Sequence, residues 1–120
     1  MLITDEKKIS EIQAEFRTKF PYLKLEFYAQ PHTEGGISAN SVHADANKTV
    51  GEVRTIHQEG NLSINGNLKV STLEANFREI YGLNVQVFRR SRKIWLQTTA
   101  TDEWTLAEQN RLGEETGVYE

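Results

Sequence analysis

Apolar side chains recur near the N-terminus at the spacing of a helix. Ile9, Ile12 and Phe16 would share one face of that helix, and Thr4 is placed to cap its start. Pro21 ends the helix because it pushes the preceding residue toward extended geometry. The first predicted element is therefore an amphipathic helix that Thr4 caps and that ends before Pro21.

Strict alternation of apolar and polar residues follows in residues 22–29 and predicts a half-buried strand. Glycine, proline, serine and asparagine are frequent in residues 31–48, which predicts a long loop of the kind that often carries function. Thr49 and Glu52 have the spacing of a capping box. We therefore predict a short helix in residues 49–58, with a strand as the alternative because Val, Thr and Ile favour strands.

The middle of the chain contains two strong local signals. Asn65-Gly66 predicts a tight turn between a short strand, residues 62–64, and residues 68–70, which can pair back. Ser71 and Glu74 match a second capping box and predict the start of a helix.

The C-terminal part predicts the end of that helix, a hairpin and a last helix. Gly82 is a natural left-handed cap, and residues 84–90 and 93–99 alternate as two strands. Thr101 caps a helix through about Leu112 that Gly113 ends, which leaves a loose acidic tail, 114–120.

The predicted order α-β-α-β-(β)-α-β-β-α indicates a single α+β domain over residues 1–120. The strand-helix-strand unit from Leu62 to Val87 predicts a right-handed parallel crossover, and the final hairpin is antiparallel. We therefore expect a small mixed β-sheet with helices mainly on one face. The pattern indicates no internal repeat.

The composition excludes several classes of function. The chain has a net charge of −3 and no cysteine, which argues against a strongly basic nucleic-acid protein and excludes thiolate zinc sites and thiol nucleophiles. No nucleotide-binding or hydrolase motif occurs, so no cofactor is expected. Neither a signal peptide nor an apolar run long enough to cross a bilayer is visible, which predicts a cytoplasmic protein without membrane contact.

The predicted hairpin concentrates positive charge and aromatic side chains. Its tip carries four cations: Arg89, Arg90, Arg92 and Lys93. By alternation, Phe88 and Trp95 fall on the same face of the hairpin, beside cationic side chains. Such a surface suits a protein partner or, less well here, the bases and phosphates of a nucleic acid. The alternative without function is a tip solubilised by charge, with both aromatic side chains packed under a helix.

The predicted loop is the second candidate site. His32 and His43 share it with Asp45, so a metal site or acid–base chemistry can be imagined there. The spacing matches no metal signature, however, and exposed or hydrogen-bonded histidine is the default. We therefore expect no metal, and these three residues are only weak candidates for ligands.

Several C-terminal segments form a pattern: YGLNVQVFR at 81–89, WLQTT at 95–99, TDEWTL at 101–106, and Gln109-Asn110. This pattern resembles a group of small, uncharacterised single-domain bacterial proteins. The resemblance implies a small α+β protein of unknown function and carries over no catalytic residue. Where that group often has glycine in the hairpin turn, this chain has Arg92.

The leading hypothesis is a non-enzymatic protein-interaction module that uses the face of the C-terminal hairpin. The alternatives are nucleic-acid binding by the same basic and aromatic surface, and an enzyme or metal site in the 31–48 loop. A homodimer formed through an exposed strand edge is a further expectation for a small sheet.

Overall fold

The computed structural model describes residues 1–28 and 43–117. These residues form three α-helices, α1 (Ile9–Lys19), α2 (Val70–Tyr81) and α3 (Leu106–Gly117). Five strands accompany them: β1 (Leu2–Ile3), β2 (Leu23–Tyr28), β3 (Gly60–Asn61), β4 (Asn84–Ser91) and β5 (Ile94–Gln97). Two short 3-10 helices lie at Val50–Val53 and Thr99–Thr101. The predicted α+β class is confirmed.

The strands form two small antiparallel sheets in the described parts of the chain. β2, β4 and β5 make the larger sheet in that order, with Leu25 opposite Val87 and Arg90 opposite Trp95. β1 pairs only with β3. The predicted parallel crossover is therefore wrong, because the strand before α2 belongs to the other sheet and residues 62–64 join neither sheet.

All three helices pack against one face of the larger sheet, as predicted. Leu25, Phe27 and Val87 point into the core between sheet and helices and are almost fully buried. Phe27 meets Phe77 of α2 edge-to-face, with ring centroids 5.8 Å apart. The opposite face carries the residues that alternate with these, and they are only partly buried.

α1 and α3 begin later along the chain than the predicted caps Thr4 and Thr101 suggest, whereas α2 begins two residues earlier than a cap at Ser71 requires. α1 begins at Ile9, after a turn that contains Thr4 and Asp5, and α3 begins at Leu106 and not at Thr101. α2 begins at Val70, and neither Ser71 nor Glu74 forms the predicted cap. The reason lies in the turns that precede the helices, which bond to one another.

Two pairs of helix starts are joined by reciprocal backbone hydrogen bonds. The Ile9 N–H donates to the Lys48 carbonyl (3.0 Å), and the Val50 N–H donates to the Lys7 carbonyl (2.7 Å). In the same way, Val70 donates to Trp104 (3.0 Å) and Leu106 donates to Leu68 (2.9 Å). The first N–H groups of a helix have no partner inside it, so each junction satisfies donors that a side-chain cap would otherwise serve.

These junctions belong to two equivalent halves of the chain, so the expectation of no repeat is wrong. The buried residues of the first helix correspond in order to those of the second: Ile9, Ile12, Phe16 and Phe20 to Val70, Leu73, Phe77 and Tyr81. β2 corresponds to β4, since Ala44 N–H donates to the Phe27 carbonyl and Thr98 N–H to the Val87 carbonyl. A pseudo-twofold axis passes between Glu26 and Gln86, which lie opposite each other.

Two of the predicted helix signals are confirmed. Glu52 accepts a hydrogen bond from the Thr49 N–H (2.9 Å), but the helix it begins is one short 3-10 turn. Gly82 adopts the left-handed conformation with φ of 66°, and the Leu83 N–H closes the cap on the Phe77 carbonyl (2.9 Å).

Gly113 does not end the last helix, contrary to prediction. α3 continues to Gly117, so residues 114–117 of the predicted loose tail are helical, and 118–120 lie outside the described residues. A Cβ on Gly113 would stand 2.8 Å from the Tyr22 Cβ. Glycine is therefore required here for close packing of α3 on the sheet, and it does not act as a helix terminator.

Candidate functional site: the outer face of the larger sheet

The face of the larger sheet that lies away from the helices is called the outer face. It is formed by Lys24, Glu26, Tyr28, Gln86, Phe88, Arg90, Trp95 and Gln97. Phe88 and Trp95 lie on it, as alternation predicts, and both are partly exposed. The two aromatic side chains are thus not packed under a helix, which was the alternative without function.

Cations converge on the indole ring of Trp95 at one end of this face. The Arg17 guanidinium lies 5.0 Å from the ring centroid, the Lys24 ammonium 5.1 Å and the Arg90 guanidinium 5.6 Å. Lys24 also lies 5.4 Å from the centroid of Phe88. These five residues, from α1, β2, β4 and β5, are called the Trp95 cluster.

Three members of this cluster, Phe88, Arg90 and Trp95, are predicted from the sequence, whereas Arg17 and Lys24 are not. Alternation in residues 22–29 places Lys24 on the side opposite Leu23 and Leu25, so a signal for its orientation existed. Nothing local indicates that α1 lies beside β2 and brings Arg17 to Trp95. That placement follows from the packing of the whole molecule.

Arg89 lies on the other face of the sheet and does not belong to the predicted binding surface. Its Nη1 donates to the Oε1 of buried Gln109 (2.6 Å), and burial lowers the pKa of this guanidinium. Gln109 in turn donates to the Thr101 carbonyl (2.8 Å), and Asn110 accepts from the Tyr22 N–H (2.9 Å). The Gln109-Asn110 pair of the C-terminal pattern therefore ties α3 to the sheet.

The hairpin turn carries two exposed cations, Arg92 and Lys93. Arg92 adopts φ of 55°, in the left-handed region that favours glycine, and its carbonyl accepts a hydrogen bond from Arg90 Nε. A residue with a side chain pays roughly 1–2 kcal/mol for that conformation. The chain thus tolerates backbone strain at the position where it presents a positive charge.

The histidine-bearing loop does not bring its candidates together within the described residues. His43 bonds through Nδ1 to Glu26 (2.8 Å) and its ring lies 4.8 Å from that of Tyr28. Asp45 instead accepts from the Asn47 N–H (2.9 Å) in a turn, and His32 lies outside the described residues. Across residues 1–28 and 43–117, no group of three His, Asp or Glu side chains could hold a metal ion.

A polar cavity lies at the other end of the outer face. Its volume is about 360 Å³, and it is lined by Tyr28, Glu74, Arg78, Asn84, Val85, Gln86 and Gln97. The Glu74 carboxylate accepts a hydrogen bond from the Val87 N–H (3.0 Å). Burial raises the pKa of Glu74, and the nearby charge of Asp102 adds to that effect. The sequence does not predict this site because its lining comes from α2 and three strands.

A second cluster outside the outer face was also missed. Asp5 accepts hydrogen bonds through Oδ1 from Nε (3.0 Å) and Nη2 (2.7 Å) of Arg54, whose side chain is fully buried. Arg54 also donates to the carbonyl of Tyr81 at the end of α2 (3.0 Å). The second oxygen of Asp5 bonds to Nδ1 of His57 (2.8 Å). These hydrogen bonds join three distant segments of the chain, so the buried Arg54 has a structural role.

Comparison of the chain with family models, with curated proteins and with solved structures found no match. Its function is therefore argued from its own residues. Among the described residues, no helix combines the length and apolar composition needed to span a membrane.

Proposed function

We propose that this protein is a non-enzymatic interaction module that binds an acidic segment of a partner protein through the Trp95 cluster. The observation that carries this proposal is the convergence of Arg17, Lys24 and Arg90 on one partly exposed tryptophan. Tryptophan and arginine are the side chains most often found as energetic anchors in protein interfaces. Exposed cation–π contacts contribute only about 0.5–1 kcal/mol each, so folding gains little from the arrangement.

Charge supports an acidic partner. The chain has a net charge of −3, yet its hairpin end gathers the cations of the Trp95 cluster together with exposed Arg92 and Lys93. Like charges that meet on one surface repel each other, and an anionic partner would relieve that repulsion. Carboxylate groups on a partner would pair with Lys24 and the arginines while the indole ring supplies apolar contact.

A protein partner is favoured over a nucleic acid by the surroundings of Trp95. Bases bind to aromatic side chains by stacking on the ring face. Three cations lie within 5.0–5.6 Å of the Trp95 centroid and compete for that position.

A different chain is favoured over a second copy as the partner. Among the described strands, β5 lies at the edge of the larger sheet. Thr98 N–H bonds to the Val87 carbonyl, and bonded and non-bonded pairs alternate along an antiparallel ladder, so the backbone groups of Trp95 and Gln97 point away from β4. Two copies paired at this edge would each present the cations of the Trp95 cluster at the same end of the sheet. Repulsion between these like charges disfavours a homodimer there, and light scattering at several salt concentrations tests this point.

The proposal is tested with the tagged chain as bait in extracts, followed by calorimetry with the captured partner. Trp95→Ala and Lys24→Glu should each weaken binding by about 30-fold, which corresponds to a loss of about 2 kcal/mol. Lys48→Glu makes the same charge change at an exposed turn residue and should leave the affinity unchanged. Equal binding by all variants would refute the proposal. Capture that disappears after nuclease treatment would assign the surface to nucleic acid.

A further inference from the structure

The pseudo-twofold axis relates the Trp95 cluster to the polar cavity. Arg17 of α1 corresponds to Arg78 of α2, because each follows the equivalent buried residue, Phe16 or Phe77. By the equivalence of β2 and β4, Lys24 corresponds to Asn84 and Phe88 to Tyr28. In the register of the sheet these residues also form equivalent pairs, Lys24 with Phe88 and Asn84 with Tyr28.

The described residues around the two equivalent positions differ. At one, the indole ring of Trp95 lies 5.0 Å from Arg17 and 5.1 Å from Lys24. At the other, Tyr28, Arg78 and Asn84 line the cavity of about 360 Å³. This volume is at the small end of the range of about 300–1,000 Å³ typical of ligand sites. Among the described residues, an arginine and an aromatic side chain thus recur at both positions, beside the Trp95 ring at one and in the lining of a cavity at the other.

We propose that this cavity binds a planar aromatic group whose edge carries a hydrogen-bond donor, such as an indole or a phenol. Arg78 lines the cavity at the position equivalent to Arg17, which lies over the Trp95 ring, and Tyr28 lines it at the position equivalent to Phe88. The remaining lining is polar, from the amides of Asn84, Gln86 and Gln97 and the carboxyl of Glu74. These groups would accept the N–H or O–H at the edge of the ring, which an apolar pocket would leave unsatisfied.

The ring could come from a free small molecule or from a tryptophan or tyrosine side chain of a partner. Both sources share the same chemistry, so the test compares them directly. Phenol and indole serve as free ligands, and the tripeptide Gly-Trp-Gly presents the indole on a peptide backbone. Tighter binding of the tripeptide than of indole would indicate a partner side chain. The reverse order would indicate a free molecule, and both orders support an aromatic site.

The experiment is an NMR titration of the full chain labelled with ¹⁵N. Phenol should shift the side-chain amide signals of Asn84, Gln86 and Gln97. Cyclohexanol has a similar size and the same hydroxyl group but no aromatic ring face for Arg78 to contact. It should therefore bind several-fold more weakly than phenol.

Arg78→Ala provides the second arm, and Arg111→Ala, which removes an exposed arginine of α3 outside the cavity lining, is its control. Arg78 is exposed, so its removal leaves the core intact. We expect Arg78→Ala to weaken phenol and indole binding by about threefold or more and Arg111→Ala to leave it unchanged. The proposal is overturned if phenol shifts none of the three amides, if cyclohexanol binds equally well, or if Arg78→Ala has no effect. The Trp95 cluster is not altered by Arg78→Ala, so this result is independent of the proposed partner site.

Discussion

At the residue scale, one carboxylate compensates a buried cation. Hydrogen bonds from Arg54, and secondarily from His57, hold the pKa of Asp5 below its ordinary value, although partial burial opposes them. A group whose pKa is lower in the folded state stabilises the protein above its unfolded pKa of about 3.9. That contribution is lost as the pH falls through the lower, folded pKa.

We therefore predict that Asp5→Asn lowers the urea midpoint at neutral pH, because Arg54 stays buried without a counter-charge. The variant should also lose less stability than the wild type as the pH falls below about 4, since it lacks one of the groups that titrate there. Urea unfolding across that pH range measures both effects. Asp45→Asn is the control, because its oxygen still accepts from Asn47. An unchanged acid profile in Asp5→Asn would contradict this explanation.

At the scale of elements, the helix starts show which capping signals act. Thr105 and Glu108 form a reciprocal capping box at the start of α3: the Thr105 N–H donates to Glu108 (2.9 Å) and the Glu108 N–H to Thr105 Oγ1 (3.2 Å). Ser71 has the same sequence spacing to Glu74, but its hydroxyl bonds to Glu103 (2.8 Å). Glu74 instead accepts from β4. The same motif thus acts as a cap only where tertiary contacts leave both side chains available.

Substitution at these two positions should therefore have different effects. Thr105→Ala removes the cap of α3 and should cost about 1 kcal/mol of unfolding free energy. Ser71→Ala removes one exposed hydrogen bond and should cost less than about 0.5 kcal/mol. Urea unfolding of both variants under the same conditions gives the comparison. A larger loss for Ser71→Ala would mean that Ser71 caps α2 after all.

At the scale of the whole molecule, local signals in the sequence predict the central residues of the helices and strands, but not which of these elements pair or pack together. The end of α2 at Gly82 and the strands β2, β4 and β5 follow from alternation and turn chemistry. The start of α1 cannot be predicted in this way, because it depends on the hydrogen bond from the Ile9 N–H to the Lys48 carbonyl. Likewise, β3 at residues 60–61 pairs with β1 at the start of the chain. This pairing takes the place of the predicted parallel crossover.

The candidate site likewise has a part that the sequence predicts and a part that depends on tertiary packing. Phe88 and Trp95 were predictable because strand alternation fixes their shared face, whereas Arg17 and the cavity lined by Arg78 depend on how helices lie beside the sheet. The duplication did leave a signal in the sequence: residues 9–20 and 70–81 match in their apolar positions. Four of the twelve aligned residues are also identical, among them Phe16 with Phe77 and Arg17 with Arg78, and the hydrogen bonds at the helix starts extend the equivalence beyond the helices.

Two equivalent halves that share one core should unfold together. Phe16 and Phe77 occupy equivalent positions and both are fully buried, and the β2–β4 pairing joins the halves across the axis. Phe16→Leu should cost about 1–2 kcal/mol because it leaves space in that core. In a Trp95→Phe background, the fluorescence of Trp104 reports only the second half, while circular dichroism reports all helices. A single cooperative transition requires that both signals show the same lowered urea midpoint in Phe16→Leu. We expect Phe77→Leu to give the same result. A Trp104 midpoint that stays at its original value while the circular dichroism transition splits would show instead that the halves fold independently.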